Sequence, residues 1–500
     1  MFGDSKYLSD AAHFPGGHAE RVVIPRSLDE IPGIVRAAAT ILTIGAQSSL
    51  TGGATPMGET VLSTEKLTRI LDIGRAHITV EAGVPVAAIQ EALALRGAWF
   101  PPAPTFTGAL AGGIVATNAA GAATFRHGSV RSWVNAITVV LADGSELAIK
   151  RRDARARNGS LRVKAHGRAI EIRVPSYRMP DVVKISAGYF ARPDMDLIDL
   201  FIGSEGTLGV ITTITFRTLS PVPTSALALI PCRSEQEALA LVADLRKEPS
   251  IAAIEHMDRR CLEILHEDGA DRQHDVSFPA DTELALLLQM ELPAGTTEGD
   301  AFAEIESSLS PGAPATSLRR VCRLLDAHGV FDDTEMALPG NARRAGQLIA
   351  IREAVPAGVN QRVGRAQREI DPRIAKTAAD MIVPFDRFGG MMQIYREGFA
   401  ARGLDFAVWG HISDGNVHPN VLPRSYEDVE RGKDAILFFG REVARLGGCP
   451  LAEHGVGRNP IKQTLLRELY GDAGIDQMRA VKRALDPEWK FAPGVIFPEP

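Results

Sequence analysis

The sequence predicts an α+β protein of more than one domain, and three observations carry that expectation. Its 500 residues exceed what a single hydrophobic core usually supports. Short strands alternate with capped helices along the chain. After a Pro-Val-Pro boundary at residues 221–223, the alternation restarts with a rhythm of its own. The composition is ordinary for a globular protein, 45% apolar and 23% charged. A net charge of −6 without a long Lys/Arg run argues against nucleic acid as the main partner. The four cysteines, Cys232, Cys261, Cys322 and Cys449, lie far apart and form no CxxC. That excludes a cysteine-bound iron–sulfur cluster or a closed zinc site as the main chemistry, and reduced thiols are expected.

RVVIP (residues 21–25) reads as a short strand, and Ser27-Leu-Asp-Glu30 as a capping box opening a helix to about Thr40. ILTI (residues 41–44) is a buried strand, HITVEAGV (77–84) an alternating one, and residues 85–95 a helix. AITVVLADGSELAI (136–149) is a hairpin turning at Asp143-Gly144. Beyond residue 221, ALALIPC, IAAIEHMD and ELALLLQMEL are strands separated by helices over SEQEALALVADLRKE and from Arg259, with another helix near Asp300. This pattern predicts a second α+β domain with a mainly antiparallel sheet. Helices are expected at residues 342–363 and 385–402, and the tail from 429 to 485 is mostly helical. The expected division is 1–220, 221–430 and a helical segment 431–500 that returns to the first domain.

MFGDSKYLSD lacks an apolar core, so no signal peptide is expected. Residues 97–125 carry no charge, but Pro101, Pro102, Pro104 and many glycines make them a poor membrane span. They read as a loop lying against something large. A cytoplasmic protein is expected, with association at the cytoplasmic face of a membrane and a homodimer both left open.

Three glycine-rich segments follow or precede strands: GAQSSLTGGA (45–54), TGALAGGIVATNAAGAA (107–123) and IGSEGTLGVI (202–211). Such loops bring backbone N–H groups close to phosphate oxygens. None ends in Gly-Lys-Ser/Thr, and no strand-borne GxGxxG is present, so neither a nucleoside-triphosphatase loop nor a Rossmann fold is indicated. Together they suggest one long, phosphate-bearing ligand.

GHISDGNVHPN (410–420) places two of only 12 histidines around an Asp-Gly turn signal. A two-residue turn at Asp414-Gly415 would pair Ser413 with Asn416, Ile412 with Val417 and His411 with His418. Directly opposed residues share a face roughly 5 Å apart, a spacing at which two imidazoles can chelate one metal ion. AEHGVGR (452–458) adds a carboxylate and a third imidazole.

RVVIPRSLDEIPGIVRAA, IGAQSSLTGGA, VEAGV, PPAP, AGGIVATNAAG, LIDLFIGSEGTLGVIT, GHISDGNVHPN, AEHGVGR and LDPEWKFAPGVIF occur in the order seen in FAD-linked oxidases of the vanillyl-alcohol oxidase superfamily. The chain most resembles the D-lactate, D-2-hydroxyglutarate and glycolate dehydrogenase branch. The resemblance implies a two-part PCMH-type FAD-binding domain and an α+β cap domain that receives substrate. It also implies a C-terminal segment returning to the flavin. By matching positions, Gly45, Ala46, Gln47, Ser48, Ser49 and Leu50 would cradle the FAD pyrophosphate. Gly112, Gly113, Thr117 and Asn118 would line the flavin, and Ser204, Glu205, Gly206, Gly209 and Ile211 would close around it. The chain departs from the family in two places. Gly45-Ala46-Gln47-Ser48 stands where three glycines and a Thr are usual. Ala492-Pro493-Gly494-Val495 stands for Asn-Pro-Gly-Lys, leaving only backbone contacts to FAD there. With no attachment histidine evident, non-covalent FAD is expected.

The resemblance further implies that His411, His418 and Glu453 hold a divalent ion, with Zn, Mn and Fe(II) all compatible with such ligands. Asn416 and Asn420 share the His418 face and would orient substrate or ligands. The implied reaction is oxidation of a D-2-hydroxy acid to the 2-oxo acid, with hydride passing to flavin N5. His454 is the candidate base. Arg352 is the candidate partner of the substrate carboxylate, against a surface reading in which it pairs with Glu353 or Glu369. Lys376 is a second substrate candidate, and Arg458 is either structural or in touch with substrate. Electrons would pass to a quinone, a cytochrome or an electron-transfer flavoprotein. Two other readings stand beside this one. A non-redox enzyme like alkyl-dihydroxyacetone-phosphate synthase would carry adjacent histidines, which this chain lacks. A flavin-binding subunit of a glycolate-oxidase-like complex would not need His411, His418, Glu453 and His454 together.

Overall fold

The computed structural model describes residues 5–102, 106–165 and 168–498; Pro104 of the uncharged segment lies outside them. The chain forms two compact units. The first takes the chain up to Gly121, then Gly128–Pro221, and resumes at Cys449; the second comprises Ala122–His127 and Val222–Gly448. The boundary expected at residue 430 falls within the helix Tyr426–Arg445, which stays with the second unit.

In the first unit, Arg21–Val23, Thr60–Ser63 and Ile41–Ile44 form a parallel three-stranded sheet, with Thr60–Ser63 in the middle. A five-stranded antiparallel sheet runs Ile70–Ile73, His77–Glu81, Val210–Arg217, Val134–Val140, Glu146–Lys150. The capping box is present, with the Glu30 carboxylate accepting the Ser27 N–H at 2.9 Å. The helix it leads into, Ile31–Ala37, stops before Thr40, and its buried Ile31 and Val35 pack with Ile41, Leu62, Val140 and Val210. Phe491 from the tail completes this core, because the closing stretch hydrogen-bonds to the strand edge on both sides of Ile41, at 2.7 Å each.

The second unit is built on a seven-stranded sheet in which every pairing is antiparallel, in the order Glu335–Ala337, Thr224–Cys232, Leu284–Leu292, Ile251–Met257, Phe406–His411, Asn416–Val421, Met381–Ile382. Its helices start on side-chain caps: Ser234 accepts from Glu237 N, Asp258 from Cys261 N, and Asn341 from Arg344 N. Met257, Ile264, Leu287, Ile351, Val355 and Trp409 form the core that fixes the long helix Ala342–Glu369 to the sheet. Among the described residues, no helix is long and apolar enough to cross a membrane.

Two segments read as loops are ordered elements. Residues 111–116 form a helix, because their small side chains let it settle on the backbone at Ala82 and Val84. Residues 210–211 already belong to a strand.

Candidate functional site

The first unit brings two of the three glycine-rich segments together at one helix. Ala111 N and Gly112 N donate to Val84 O and Ala82 O at 2.9 and 2.8 Å, seating the helix Ala111–Ala116 on the end of the His77–Glu81 strand. A Cβ at Gly112 would stand 2.8 Å from the Ala82 Cβ, so only glycine fits. At the helix C-terminal end, Gly203 N and Glu205 N donate to Val115 O and Ala116 O at 3.0 and 2.7 Å. The remaining segment also approaches, with Gly53 positioned so that a Cβ would lie 3.5 Å from the Glu205 carboxylate. Beside Gly113 and Gly206 there is open space within 4 Å. A cavity of about 430 Å³ is lined by Gly45, Ala46, Gln47 and Leu110 together with residues of the N-terminal segment.

The remaining cofactor candidates divide. Thr117 Oγ1 donates to Gly113 O at 2.9 Å, and Asn118 Oδ1 accepts Arg131 N at 3.0 Å, so both side chains stabilise the helix end. Ser49 is engaged with Thr51 at 3.3 Å, and Leu50 is exposed. Gly209 immediately precedes the strand Val210–Arg217, whose Ile211 is buried and paired with Val139. Ser48 makes no distinguishing contact among those described.

Glu205 has a task the sequence did not reveal. Its two carboxylate oxygens accept the backbone N–H groups of Val456 and Gly457, each at 2.8 Å. Burial pushes its carboxyl above the usual range, against these two donors and the Lys462 charge. The AEHGVGR segment is thereby tied to the SEGTLG loop. Gly457 is required in it, since at φ +57° a Cβ would strike Thr51. Glu453, buried on the same segment, pairs with Lys184 at 2.6 Å, a lysine with no exposed surface. His454 follows it, half-buried. Arg458 lies against Glu59 and donates to Pro493 O at 2.5 Å, a structural tie to the tail.

In the second unit the histidine hairpin differs from its expected register. The observed pairs are His411 with Asn416, Gly410 with Val417 and Trp409 with His418. The loop is a 3-10 turn over Ile412–Asp414 closed by Gly415 at φ +85°, so two more residues leave the ladder than a two-residue turn would remove. A register shift of two keeps every side chain on its face. His411 and His418 therefore remain neighbours, now diagonal, with ring centroids 5.6 Å apart and planes at 89°. Each offers a ring nitrogen within 4.8 Å of the other's.

The groups behind them were not foreseen. Glu255, in the Ile251–Met257 strand, takes His411 Nδ1 on Oε1 at 2.6 Å and Arg352 Nε and Nη2 on Oε2 at 2.9 Å. Burial would raise the Glu255 carboxyl, but the Arg352 guanidinium and the His411 ring outweigh it and hold it well below the usual carboxylate range. An ionised carboxylate only accepts, so His411 carries a hydrogen on Nδ1, and in the neutral ring the lone pair is on Nε2. Arg352 pairs with this carboxylate and with neither Glu353 nor Glu369 among the ion pairs described. Asp380 stands 3.6 Å from His418 Nδ1 and accepts Asn416 Nδ2 at 3.1 Å. Asn416 also donates to Met381 O at 2.9 Å, so its amide orients protein groups. Asn420 Nδ2 donates to His418 O at 2.8 Å, and its Oδ1 is buried. Lys376 is exposed. The signal for Glu255 was available: a carboxylate inside the apolar run IAAIEHM, on a strand whose residues are all buried.

Comparison with known proteins identifies the family. Residues 223–496 match the model of the FAD linked oxidases, C-terminal domain, and residues 19–150 match an FAD binding domain. The chain belongs to the FAD-linked oxidases. Curated relatives of this family include D-2-hydroxyglutarate dehydrogenase of Xanthomonas citri pv. viticola, 27% identical over 490 residues, covering 95% of this chain and 89% of that one. D-lactate dehydrogenase of Archaeoglobus fulgidus is 25% identical over 95% of this chain and 90% of its own. Glycolate oxidase subunit GlcD of Bacillus subtilis is 27% identical over 98% and 92%. Among solved structures, alkyldihydroxyacetonephosphate synthase shares the fold with a TM-score of 0.56 at 14% identity, over 94% of this chain and 76% of that one.

Proposed function

We propose that this FAD-linked oxidase is a dehydrogenase that oxidises a D-2-hydroxy acid to the 2-oxo acid. The observation that carries the reading is the Glu255 carboxylate, which joins a guanidinium and a tautomer-fixed imidazole in one unit. Arg352 held along its Nε edge presents a planar cation suited to a substrate carboxylate. The relatives named above act on lactate, 2-hydroxyglutarate and, by name, glycolate, which share the 2-hydroxy carboxylate group.

His454 is assigned the proton of the 2-hydroxyl, a role within reach of a neutral imidazole near neutral pH. FAD, held without a covalent bond, supplies the hydride acceptor. The open space beside Gly113 and Gly206 and the cavity at Gly45–Gln47 fit such a group. His411, His418 and Glu453 are assigned to a divalent ion, Zn, Mn or Fe(II), which would make the substrate hydroxyl more acidic. All three side chains are buried, and the fixed tautomer of His411 suits ligation through Nε2. Asn420 and Lys376 are assigned to the substrate, with a quinone, cytochrome or electron-transfer flavoprotein as acceptor of the electrons.

The test is anaerobic mixing of the yellow, metal-restored protein with D- and L-2-hydroxy acids, followed by flavin absorbance. Bleaching by a D-acid, abolished in His454→Ala, is the expected result. No bleaching by lactate, malate, glycolate or 2-hydroxyglutarate would overturn the reading.

A further inference from the structure

Residues 150–178 of the first unit differ in charge from the rest of the chain. They hold ten Lys and Arg against two Asp and Glu, a net +8 in a protein whose total is −6, so the other residues together carry −14. Ser160–Ala165 and Arg168–Arg173 pair there as an antiparallel two-stranded ribbon. Leu161, Val163 and Ile172 are buried on one face, while Arg162, Lys164 and Arg173 are exposed on the other. Arg155 and Arg157, in the lead-in to the ribbon, are exposed too. Of these five cations, Arg162 alone has a carboxylate partner among the described residues, Glu171 at 4.0 Å, and both side chains are more than half exposed. Such a pair neutralises little. In the second unit, by contrast, Arg260 pairs with Glu267 and Asp405, and Arg362 with Glu267 and Asp268. The ribbon therefore carries a positive field that the protein does not itself compensate.

The ribbon is anchored at both ends. After it, Ser176 N donates to Gln477 Oε1 at 2.6 Å and the Tyr177 ring stacks on Tyr470 at 4.2 Å, which ties the chain to the helix Pro460–Leu485. Before it, Ala156 N donates to Met195 O and Leu197 N to Ala154 O, at 2.9 and 2.8 Å. That tie lies at the start of the helix Leu197–Phe201, which leads into the SEGTLG loop. Lys482 of the long helix donates to Thr207 O in the same loop at 2.7 Å. Both anchors thus belong to elements that hold a loop assigned to FAD.

Electron-transfer partners meet through small contacts steered by charge. Two strands of six residues, about 20 Å long, are of that scale. The charge balance also selects among occupants. A bilayer is a plane that extends past the ribbon and meets the negative remainder of the chain, whereas an acidic patch on a protein meets the ribbon alone.

We propose that this basic ribbon is the docking surface for a protein electron carrier with an acidic face, which takes the electrons that the hydroxy acid gives up. The inference rests on the dehydrogenase reading and narrows its acceptor to a protein rather than a lipid-borne quinone. The hydride brings two electrons and a proton; the electrons leave to the carrier, one per encounter for a haem protein, and the proton passes to water.

The test uses the full-length, flavin-loaded protein and two probes, an acidic soluble b-type cytochrome and a basic c-type cytochrome. Calorimetry at low ionic strength reads the dissociation constant and needs no turnover. Stopped-flow absorbance reads cytochrome reduction in the presence of a D-2-hydroxy acid. In Arg162→Gln/Lys164→Gln/Arg173→Gln we expect the acidic cytochrome to bind about tenfold more weakly and to be reduced about tenfold more slowly, with a shallower salt dependence. Turnover with the small dye dichlorophenolindophenol and the melting temperature should stay at wild-type values. Arg155→Gln/Arg157→Gln tests the lead-in and decides alone should the ribbon variant fail to fold. Arg343→Gln/Arg365→Gln/Arg368→Gln removes three exposed arginines of the second unit and should leave cytochrome binding unchanged. Wild-type affinity in both ribbon variants, or equal affinity for the basic cytochrome, would overturn the inference. Loss of binding to phosphatidylglycerol vesicles in the ribbon variant, with cytochrome binding unchanged, would overturn it in favour of a lipid surface. Dye turnover by a protein whose cytochrome binding ignores the ribbon removes this inference alone. Ribbon-dependent cytochrome binding without dye turnover on any hydroxy acid instead removes the dehydrogenase reading, and with it the carrier's role as electron acceptor.

Discussion

Glu255 and His411 are joined by a 2.6 Å hydrogen bond on one carboxylate oxygen, while the other oxygen receives two N–H groups of Arg352. One strand residue thus sets both the tautomer of an imidazole and the orientation of a guanidinium. Replacing it with Gln keeps the shape and removes the charge that balances Arg352. Breaking a buried pair in this way costs about 3 kcal/mol. Glu255→Gln should lower the urea midpoint accordingly and raise KM for the hydroxy acid, since Arg352 is no longer pinned. An unchanged midpoint and KM would remove Glu255 from the site.

Arg352→Lys should separate binding from chemistry. Lysine keeps the charge but cannot hold Glu255 along one edge and a substrate carboxylate along another. Steady-state kinetics should show KM for the acid raised about tenfold or more, as expected when a charged hydrogen bond worth roughly 1.5–3 kcal/mol is lost. The melting temperature should shift little, because the charge opposite Glu255 remains. A variant with unchanged KM would return Arg352 to a purely structural role.

These two residues also mark how far the sequence could be read. Strands such as Ile41–Ile44 and the second-unit order of strands and helices were legible from periodicity and caps, because those signals are local. His411 and His418 were found through an Asp-Gly turn signal, yet their pairing was misjudged by two residues. Turn chemistry at Asp414-Gly415 does not say whether Ile412 and Ser413 stay in the ladder, and here they form the 3-10 turn. Glu255 and Asp380 were missed because each acts on a residue far away in sequence, 156 positions in the case of Glu255 and His411. Glu205 was read as a cofactor residue, and the structure gives its carboxylate to the backbone of Val456 and Gly457, a partnership that only the folded tail creates.

His256, next to Glu255 on the strand, makes acid stability testable. It is 2% exposed, with its ring edge-on to Phe388 at 6.1 Å. Burial holds its imidazole down to about 4 from an ordinary 6.5. Below pH 6.5 the unfolded chain takes up a proton that the folded chain refuses until about pH 4, so stability present above 6.5 is lost as pH falls across that window. The loss amounts to about 3 kcal/mol at its limit. Denaturant melts of His256→Leu at pH 7, 6, 5 and 4 should show a shallower decline than wild type. Parallel declines would mean that other groups carry the acid sensitivity.

Lys482 links the tail to the SEGTLG loop, and its removal should be felt in both. Its ammonium is 1% exposed and donates to Thr207 O at 2.7 Å, Phe491 O at 2.7 Å and Asp486 Oδ2 at 2.5 Å. Asp486 in turn accepts Lys490 N and Phe491 N at 3.0 and 2.8 Å, which positions the closing stretch along Ile41. Methionine at 482 would fill much of the volume while leaving a buried carboxylate without its cation and two carbonyls without a donor. The expected cost is about 3–5 kcal/mol, the range for a buried pair broken on one side. Thr207 also bonds the buried Tyr189 hydroxyl at 2.7 Å, so disorder at residue 482 should spread to the loop that carries Glu205. Lys482→Met should therefore melt at a lower temperature and release FAD faster, as read by the rise of free-flavin fluorescence on dilution. Lower melting with unchanged release would confine Lys482 to the tail; wild-type behaviour in both would contradict the role assigned to it.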